Sequence, residues 1–319
     1  MKNGGGGDLC AGLDIGGTNL RLALLDKNGT IVGSIRSKSR IEEGIDSFCS
    51  RLVGLFDDLR KMASDSGSEL SAIGIGIPGL IERSGVIRSS VNMRPLEGFN
   101  LSAFLENQLG IPVFADNDAN LIALGEQIYG AGRGVDSFIV ITIGTGLGSG
   151  LILDRKIWRG SSGFASEFGH VTLYPDGIPC SCGNRGCLEQ YVSAGALTRY
   201  YLEIAAKTSE EGGIDGEKIS LLARNGDSSA ISAFSRLGES LGIALASLTN
   251  TLDLEAAIIG GGVGGSLKLM LPALENALKQ RSFLLISSKM RVIGGELGDE
   301  AGLMGGGALA RYRLESGHP

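Results

Sequence analysis

Two segments of the chain share one design: an apolar strand, a glycine-rich turn and a second apolar strand. The first segment runs from Leu9 to Asp26 and turns at Asp14-Ile15-Gly16-Gly17-Thr18-Asn19, and the second runs from Phe138 to Asp154. Each predicts a β-hairpin, because short glycine turns between apolar runs allow two strands to pair. When the two segments are aligned, Leu25 coincides with Leu153. This correspondence predicts two structurally similar halves.

Strands and helices alternate between and after the two hairpins. Apolar residues recur at steps of three and four from Ile45 to Met62, which predicts an amphipathic helix. A strand is predicted to end at Pro78-Gly79, and Val113–Ala115 leads through Asp116-Asn117-Asp118 into a further helix. This alternation indicates an α/β fold. The other predicted elements are helices over 101–109, 193–207, 229–252 and 268–283 and a strand over 256–259.

Glycine is the residue type whose usage departs most from the average. The chain has 52 glycines among 319 residues, which is about 16% against an average near 7%. Only 7 residues are proline, so we expect the glycines in turns and not in a low-complexity linker. The glycines also produce GxGxxG matches at 74–79 and 260–265. Neither match is followed by an acidic strand end about 20 residues later, so neither predicts a dinucleotide site.

Charge and hydropathy narrow the range of partners. The net charge of −6 and the pI near 5.2 argue against a nucleic-acid partner, because binding to a phosphodiester backbone requires a basic surface. No apolar run reaches the roughly 20 residues of a membrane span, and residues 1–8 contain no signal-peptide core. We therefore expect a cytoplasmic protein that contacts neither nucleic acid nor membrane.

The turn from Asp14 to Asn19 has the composition of an anion site. Gly16 and Gly17 let backbone N–H groups approach an anion without interference from a Cβ, while Thr18 and Asn19 add donors. Asp14 would hold a magnesium ion through water. The alternative is an ordinary glycine hairpin with a solvated aspartate. The second glycine turn favours the anion site, because two facing turns can clamp a polyphosphate.

A cluster of cysteines predicts a metal site. His170, Cys180, Cys182 and Cys187 supply four ligands, the number that closes a tetrahedral zinc site and leaves no open position. A zinc ion bound there would be structural. The alternative is three free thiols on a loop beside an unrelated histidine.

The histidine count bears on catalysis. The chain has two histidines, His170 and His318, and His318 lies next to the last residue. If His170 binds zinc, a carboxylate must act as the general base, and Asp118 is the best placed because it begins a helix after a strand. The alternative role for Asp118 is a helix N-cap, which Asp116 or Asn117 could equally supply.

The chain resembles the ROK family of bacterial sugar kinases and repressors from about Leu9 to Arg311. The spacing between ExGH and CxCGxxGCxE is the most specific part of the resemblance, whereas the glycine turn is shared with the wider group of actin-like ATPases. One departure is Asn92-Met93-Arg94-Pro95-Leu96, where family members often carry a tryptophan beside the sugar. The resemblance rests on Asp14-Ile15-Gly16-Gly17-Thr18-Asn19, Asn117-Asp118-Ala119-Asn120, Glu167-Phe168-Gly169-His170 and Cys180-Ser181-Cys182-Gly183-Asn184-Arg185-Gly186-Cys187-Leu188-Glu189.

The resemblance also implies roles for individual residues. Asp118 would be the catalytic base that accepts the proton of a sugar hydroxyl. The other implied sugar-binding residues are Gly79, Asn117, Glu167, His170 and Glu189. The residues implied to hold ATP and Mg²⁺ are Asp14, Gly16, Gly17, Thr18, Asn19, Arg21, Thr145 and Gly146, with Gly261 and Gly262 near the adenosine.

The fold implied by the resemblance is the two-lobed actin-like or hexokinase-like α/β fold of the ribonuclease H-like ATPases, with the active site in the cleft between lobes. The expected small lobe comprises residues 9–115 and a returning helix at 302–314. The expected large lobe comprises residues 116–301 and carries the zinc-binding loop at 167–189. A homodimer or a higher homo-oligomer is also implied.

The implied reaction is transfer of the γ-phosphate of MgATP to the 6-hydroxyl of glucose. One alternative is a kinase of the same family that acts on an N-acetylhexosamine or on fructose, because one pocket wall decides whether an acetamido group is tolerated. A second alternative is a sugar-responsive repressor without catalytic activity. A repressor requires a DNA-binding helix-turn-helix before the first hairpin, and eight residues precede Leu9.

Overall fold

The structure is a computed structural model that describes residues 8–90, 93–206 and 213–316. Asn92 of the segment that departs from the family pattern, Lys207 at the end of a predicted helix, and His318 lie outside these ranges. The strands are β1 (Asp8–Ile15), β2 (Asn19–Leu25), β3 (Ile31–Lys38), β4 (Glu69–Ile77), β5 (Leu80–Ile81), β6 (Ile87–Ser89), β7 (Val113–Asn117), β8 (Phe138–Ile143), β9 (Leu147–Leu153), β10 (Lys156–Ile157), β11 (Ala256–Gly260) and β12 (Arg291–Gly294). The helices are α1 (Ile45–Asp65), α2 (Leu101–Leu109), α3 (Asp118–Tyr129), α4 (Ala194–Ile204), α5 (Gly216–Arg224), α6 (Ser228–Leu252), α7 (Gly261–Gly264), α8 (Leu267–Arg281), α9 (Leu284–Ser287) and α10 (Ala301–Ser316).

The chain forms two compact units. The first comprises the described residues up to Gly134, the segment Ile157–Ala165 and the residues from Asp299 onward; the second comprises Val135–Lys156 and Ser166–Gly298. The sequence places the lobe boundary after Ala115, whereas the first unit also contains all of β7 and α3. The reason is packing: α3 lies against α10, and β7 completes the first sheet.

Both units are built on a five-stranded sheet of the same topology. The strand order is β3-β2-β1-β4-β7 in the first unit and β10-β9-β8-β11-β12 in the second. In each sheet the central strand pairs antiparallel with the next strand of its hairpin and parallel with a later strand. Both predicted hairpins and the prediction of two similar halves are therefore confirmed.

The pairing register corrects the alignment of the two hairpins by one residue. Leu25 lies opposite Cys10 in the first hairpin, and Ile152 lies opposite Phe138 in the second. The structural equivalent of Leu25 is thus Ile152 and not Leu153. The cause is the second turn, which has three residues where the first has four.

A helix at the end of the chain explains several glycines of the first unit. Helix α10 packs against β1, β4 and α3. A Cβ on Gly12 would collide with the carbonyl oxygen of Leu303, and a Cβ on Gly74 would collide with that of Gly306. Backbone therefore lies directly against backbone, and any larger residue would separate the helix from the sheet. Gly74, the first glycine of the GxGxxG match at 74–79, is therefore required for helix packing.

Most helices lie where periodicity predicts them. Helix α2 has the predicted bounds, and α6 and α8 each begin one residue early. The predicted amphipathic helix is α1, whose buried side includes Phe48, Leu52 and Phe56, although Met62 is exposed. None of the helices in the described ranges is both long and apolar enough to cross a membrane.

Candidate functional site

The first glycine turn presents unpaired backbone donors. Gly16 N–H donates to the Asn19 carbonyl at 2.9 Å, which closes the turn. Ser39 fixes the turn by donating its hydroxyl to the Gly17 carbonyl and its N–H to the Thr18 carbonyl. Within the described ranges, the N–H groups of Gly17 and Thr18 have no acceptor, and both residues are exposed. Such N–H groups suit an anion.

Asp14 and Arg21 form an ion pair beside this turn. The Arg21 Nε donates to Asp14 Oδ2 at 3.0 Å, and its Nη2 contacts the same oxygen. The remaining Arg21 nitrogen donates to the carbonyl of Asp299 at 2.9 Å, just before α10 begins. The structure thus brings these two predicted nucleotide-binding residues together. Both bonds from Arg21 to Asp14 are made to the same carboxylate oxygen, Oδ2.

The second glycine turn lies between β8 and β9, and the carboxylate of Glu189 accepts a hydrogen bond at its end. Gly144 N–H donates to the Gly146 carbonyl at 2.9 Å, and Leu147 N–H donates to Glu189 Oε2 at 2.9 Å. Thr145 at the tip is exposed. Gly261 has a φ of +81° and packs against the backbone of Ile143, the last residue before the turn. The structure therefore places Gly261 beside Ile143, the residue that leads into the turn of Thr145 and Gly146.

The acidic turn at the start of α3 settles which residue caps the helix. Asn117 is the N-cap, because its side-chain oxygen accepts from the N–H groups of Ala119 and Asn120 at 2.9 and 3.2 Å. Asp118 is the first helical residue, and its Oδ1 accepts from Ala119 N–H at 2.9 Å. The Asn117 amide also donates to the Gly79 carbonyl at 3.0 Å. The turn thus joins the predicted sugar-binding residues Gly79, Asn117 and Asp118.

The Asp116 carboxylate is fully used in hydrogen bonds within the protein. The residue is 6% exposed, and its carboxylate accepts bonds from Asn117 N–H, the Asn120 amide and Arg159. With both oxygens occupied, Asp116 is unsuited to accept a proton from a substrate.

Two 3₁₀ turns of the second unit carry the remaining predicted sugar-binding residues. His170 Nε2 lies 3.9 Å from Glu167 Oε2. Burial raises the pKa of Glu167; the neighbouring His170 ring opposes this rise and the Glu189 carboxylate adds to it. Ser149 fixes the start of the segment through its hydroxyl, which accepts from Phe168 N–H and contacts the Ser166 carbonyl. Glu167, His170 and Glu189 therefore form one polar cluster.

The four predicted metal ligands converge. The ligand atoms of His170, Cys180, Cys182 and Cys187 all lie within 4.8 Å of one another. Cys180 Sγ lies 3.7 Å from His170 Nδ1, and Cys182 Sγ lies 3.6 Å from Cys187 Sγ. Ligands about 2.3 Å from a tetrahedral zinc ion are separated by about 3.7 Å, so the spacing fits zinc.

The ionisation of the cluster also suits a metal. Burial would raise the pKa of the Cys180 thiol, but bonds from Cys182, His170 and Cys187 outweigh it and lower this pKa to about 7. Burial and the neighbouring sulfurs raise the pKa of Cys187 to about 12. Cys180 therefore ionises more readily than Cys187, and a bound zinc ion would hold all three sulfurs deprotonated. The donor set fits a closed structural zinc site.

Sequence reasoning missed two contacts of these residues. One is the bond from Leu147 to Glu189, which ties a predicted sugar residue to a glycine turn. The other is the pair formed by Arg159 and Asp116. Neither has a local signature, because the partners are about 40 residues apart in the chain.

Comparison with known proteins identifies the family and the fold of the chain. The ROK family model matches residues 10–313. A glucokinase of Streptomyces coelicolor is 36% identical over 95% of this chain and 98% of its own length, and a xylose repressor of Caldicellulosiruptor bescii is 30% identical over 92% of this chain and 76% of its own. The crystal structure of a ROK family glucokinase from Streptomyces griseus with glucose and AMPPNP superposes with a TM-score of 0.78 at 34% identity, covering 95% of this chain and 99% of that one. These matches confirm the two-lobed sugar kinase fold, and the chain belongs to the ROK family.

Proposed function

We propose that this chain is an ATP-dependent hexose kinase that transfers the γ-phosphate of MgATP to the 6-hydroxyl of glucose. The observation that carries the proposal is the division of roles at the start of α3. Asn117 takes the cap, Asp116 is held by an arginine, and Asp118 begins the helix. The similarity to glucokinases, one of them crystallised with glucose and AMPPNP, supports glucose and ATP as the substrates.

In the proposed mechanism, the oxygen of the hexose 6-hydroxyl attacks the γ-phosphorus, and Asp118 accepts the proton of that hydroxyl. The bond between that phosphorus and the β–γ bridging oxygen breaks, and ADP leaves. A carboxylate suits this step because phosphoryl transfer demands positioning and charge neutralisation more than covalent chemistry. The Ala119 N–H bond to Oδ1 orients the carboxylate. Asn117, Gly79, Glu167, His170 and Glu189 are proposed to hold the other parts of the sugar.

The nucleotide is proposed to bind at the two glycine turns. The unpaired N–H groups of Gly17 and Thr18 would bond phosphate oxygens, with Gly16, Asn19 and Arg21 completing the first turn. Thr145 and Gly146 would contact the phosphates, and Gly261 and Gly262 would contact the adenosine. Asp14 would bind Mg²⁺ through water, and Mg²⁺ when bound neutralises charge on the transferred phosphate.

His170 is proposed to serve both zinc and sugar. Its Nδ1 faces Cys180 Sγ, while its Nε2 is on the side of Glu167. With zinc on Nδ1, the proton must reside on Nε2, which can then donate to a sugar hydroxyl. The zinc ion would thereby fix the tautomer of a sugar ligand without itself touching substrate.

A coupled ATP assay with glucose, mannose, fructose, N-acetylglucosamine and N-acetylmannosamine tests the proposal. We expect the highest kcat/KM with glucose. A higher value with fructose or an N-acetylhexosamine would support the alternative kinase, and no turnover with any sugar would refute kinase activity. The similarity to a xylose repressor supports a second alternative, a sugar-responsive repressor. Sugar binding without turnover would favour that alternative.

We also propose a cytoplasmic homodimer. An apolar patch, formed by Phe283, Leu284 and Leu285, supports the dimer because these side chains are 75%, 74% and 81% exposed. Contiguous exposed apolar patches larger than a few hundred Å² mark interaction surfaces. The patch would supply the centre of an interface that buries about 800 Å² on each subunit, and a two-fold axis would pair it with itself.

A further inference from the structure

A short segment of the chain belongs, by its contacts, to a different unit from its neighbours in sequence. We call residues Ile157–Ala165 the strap. The strap is preceded and followed in the chain by residues of the second unit, yet its contacts place it in the first. It ends two residues before Glu167, a proposed sugar ligand. The strap has no sequence signature of function, and the proposed mechanism assigns it none.

The strap is anchored by a partly buried ion pair. Arg159 Nε and Nη2 lie 2.7 and 2.6 Å from Asp116 Oδ2. The other oxygen of Asp116 accepts from Asn117 N–H and from the Asn120 amide, both at 2.8 Å. Asp116 therefore bonds residues on both sides of Asp118, and Arg159 is the cation that neutralises this buried carboxylate. Removing one partner of such a pair leaves an uncompensated charge.

Further contacts of the strap reach the segment after Gly79. The Arg83 guanidinium contacts the carbonyl of Gly160. Gly163, with a φ of +100°, lies so close to Ile81 that a Cβ would be 2.6 Å from its carbonyl oxygen. Because Asn117 bonds the Gly79 carbonyl, the strap contacts both segments that supply the first unit's proposed sugar residues.

We propose that Arg159 is a positioning residue for the phosphoryl transfer step. Through Asp116 it holds the turn in which Asp118 is presented, so that the carboxylate is aligned with the attacking hydroxyl. The inference rests on the proposed function of Asp118. Misplacement of a catalytic group by about 1 Å costs roughly 100-fold in rate, so a relaxed turn lowers kcat without removing any group that touches substrate.

The test compares Arg159→Gln with a matched control, Arg155→Gln. Arg155 also pairs with an aspartate, Asp136, but both side chains are more than 60% exposed. We expect Arg159→Gln to lower kcat by about 10- to 100-fold with little change in KM for ATP, and Arg155→Gln to behave as wild type. Arg159→Lys should restore part of the rate, because it keeps the charge but not the fork of donors.

Trp158, the one tryptophan of the chain, gives a readout that does not depend on activity. It is 52% exposed and adjoins Arg159. We expect acrylamide quenching of its fluorescence to increase in Arg159→Gln and to stay unchanged in Arg155→Gln. The double variant Arg159→Gln with Asp116→Asn should have the same kcat as Arg159→Gln alone, because both substitutions break the same ion pair.

The outcomes separate the two proposals. Wild-type kcat in Arg159→Gln, or losses of the Arg159 and Asp116 variants that simply multiply, would overturn the positioning role while leaving Asp118 as the base. A fall in kcat accompanied by an equal loss of ATP binding would also overturn it, since that pattern indicates general unfolding. A wild-type chain that phosphorylates no sugar would refute the proposed function itself, and the positioning role with it.

Discussion

The start of α3 shows how one short sequence divides three chemical tasks. Asp116, Asn117 and Asp118 are adjacent and all can cap a helix. The structure gives the cap to Asn117 and the arginine pair to Asp116. Asp118, the first residue of the helix, is the carboxylate that we propose as the general base.

Replacement of Asp118 by Asn tests its role directly. The amide keeps the size and much of the hydrogen bonding of the carboxylate but cannot accept the proton. We expect kcat for glucose to fall by at least about 100-fold, while glucose binding measured by calorimetry is largely retained. Asp57→Asn, a change at an exposed aspartate of α1, is the control. Near-normal turnover would remove Asp118 from the mechanism.

At the same scale, sequence alone was sufficient to predict the cysteine–histidine cluster and insufficient to predict the contact of Arg159. Cysteines and histidines at close spacing predict a metal site, and the ligand atoms of Cys180, Cys182, Cys187 and His170 lie within 4.8 Å of one another. Arg159 is chemically like any surface arginine. Only the fold brings it to Asp116, 43 residues earlier in the chain.

The loop at 167–189 carries both the predicted zinc ligands and three of the proposed sugar ligands. Its turn is made by Gly186, whose φ is +68° and whose Cα lies against the Tyr174 backbone. The same loop carries Glu189, which reaches back to Leu147. Loss of the metal should therefore disturb His170 and Glu189 together.

We expect Cys187→Ser, or removal of zinc by a chelator, to weaken glucose binding by about tenfold or more and to lower the melting temperature. Binding of a non-hydrolysable ATP analogue should weaken less than glucose binding, because the first glycine turn is fixed by Ser39 and does not depend on Glu189. Elemental analysis should find about one zinc per chain in wild type. Cys49→Ala, a cysteine of α1 outside the cluster, should retain metal and glucose affinity. A fully active protein without metal would exclude the structural zinc site.

The packing of α10 is a second feature that belongs to whole elements. The hairpins were predictable because their strands and turns are contiguous, and α2 was predictable because its periodicity is local. The role of Gly74 was not, since it depends on Gly306 approaching from the end of the chain. A glycine count reveals an excess of glycine but not which surface each glycine faces.

A Gly74→Ala substitution should therefore destabilise the first unit. The added methyl would collide with the carbonyl of Gly306, and overpacking of this kind costs about 1–3 kcal/mol. Gly54→Ala is the matched control, because Gly54 is exposed within α1 with open space around it. That change should stabilise the chain by about 0.5–1 kcal/mol. Urea unfolding of both variants measures the change in the free energy of unfolding, which should fall for Gly74→Ala and rise for Gly54→Ala. Equal stabilities of the two variants would contradict this account of the α10 interface.

At the scale of the whole molecule, the two units repeat one sheet topology with different uses. Each central hairpin has a glycine turn, but the first turn lies beside an aspartate–arginine pair and the second rests on Glu189. The repetition was visible in the sequence as two similar hairpins. The unit boundary at Gly134 was not, because it follows from the packing of α3 against α10 and leaves no mark in local composition.

The proposed dimer is the property of the whole molecule that is most open to test. The patch Phe283–Leu285 is held in place by Asn250, which accepts from Phe283 N–H at 3.0 Å and donates to the Arg281 carbonyl at 3.2 Å. A fixed apolar surface loses little entropy when a second copy covers it, which favours association.

Light scattering after gel filtration should give wild type a mass twice the 33.1 kDa of one chain. The double variant Phe283→Ser and Leu285→Ser should shift toward the monomer, because it replaces the apolar centre of the interface with hydroxyls that prefer water. Leu221→Ser is the control, since Leu221 is a similarly exposed apolar side chain on α5. A dimeric double variant would place the interface elsewhere, and a monomeric wild type would refute the dimer. Because the patch is outside the proposed catalytic residues, the monomeric variant should keep its kcat for glucose.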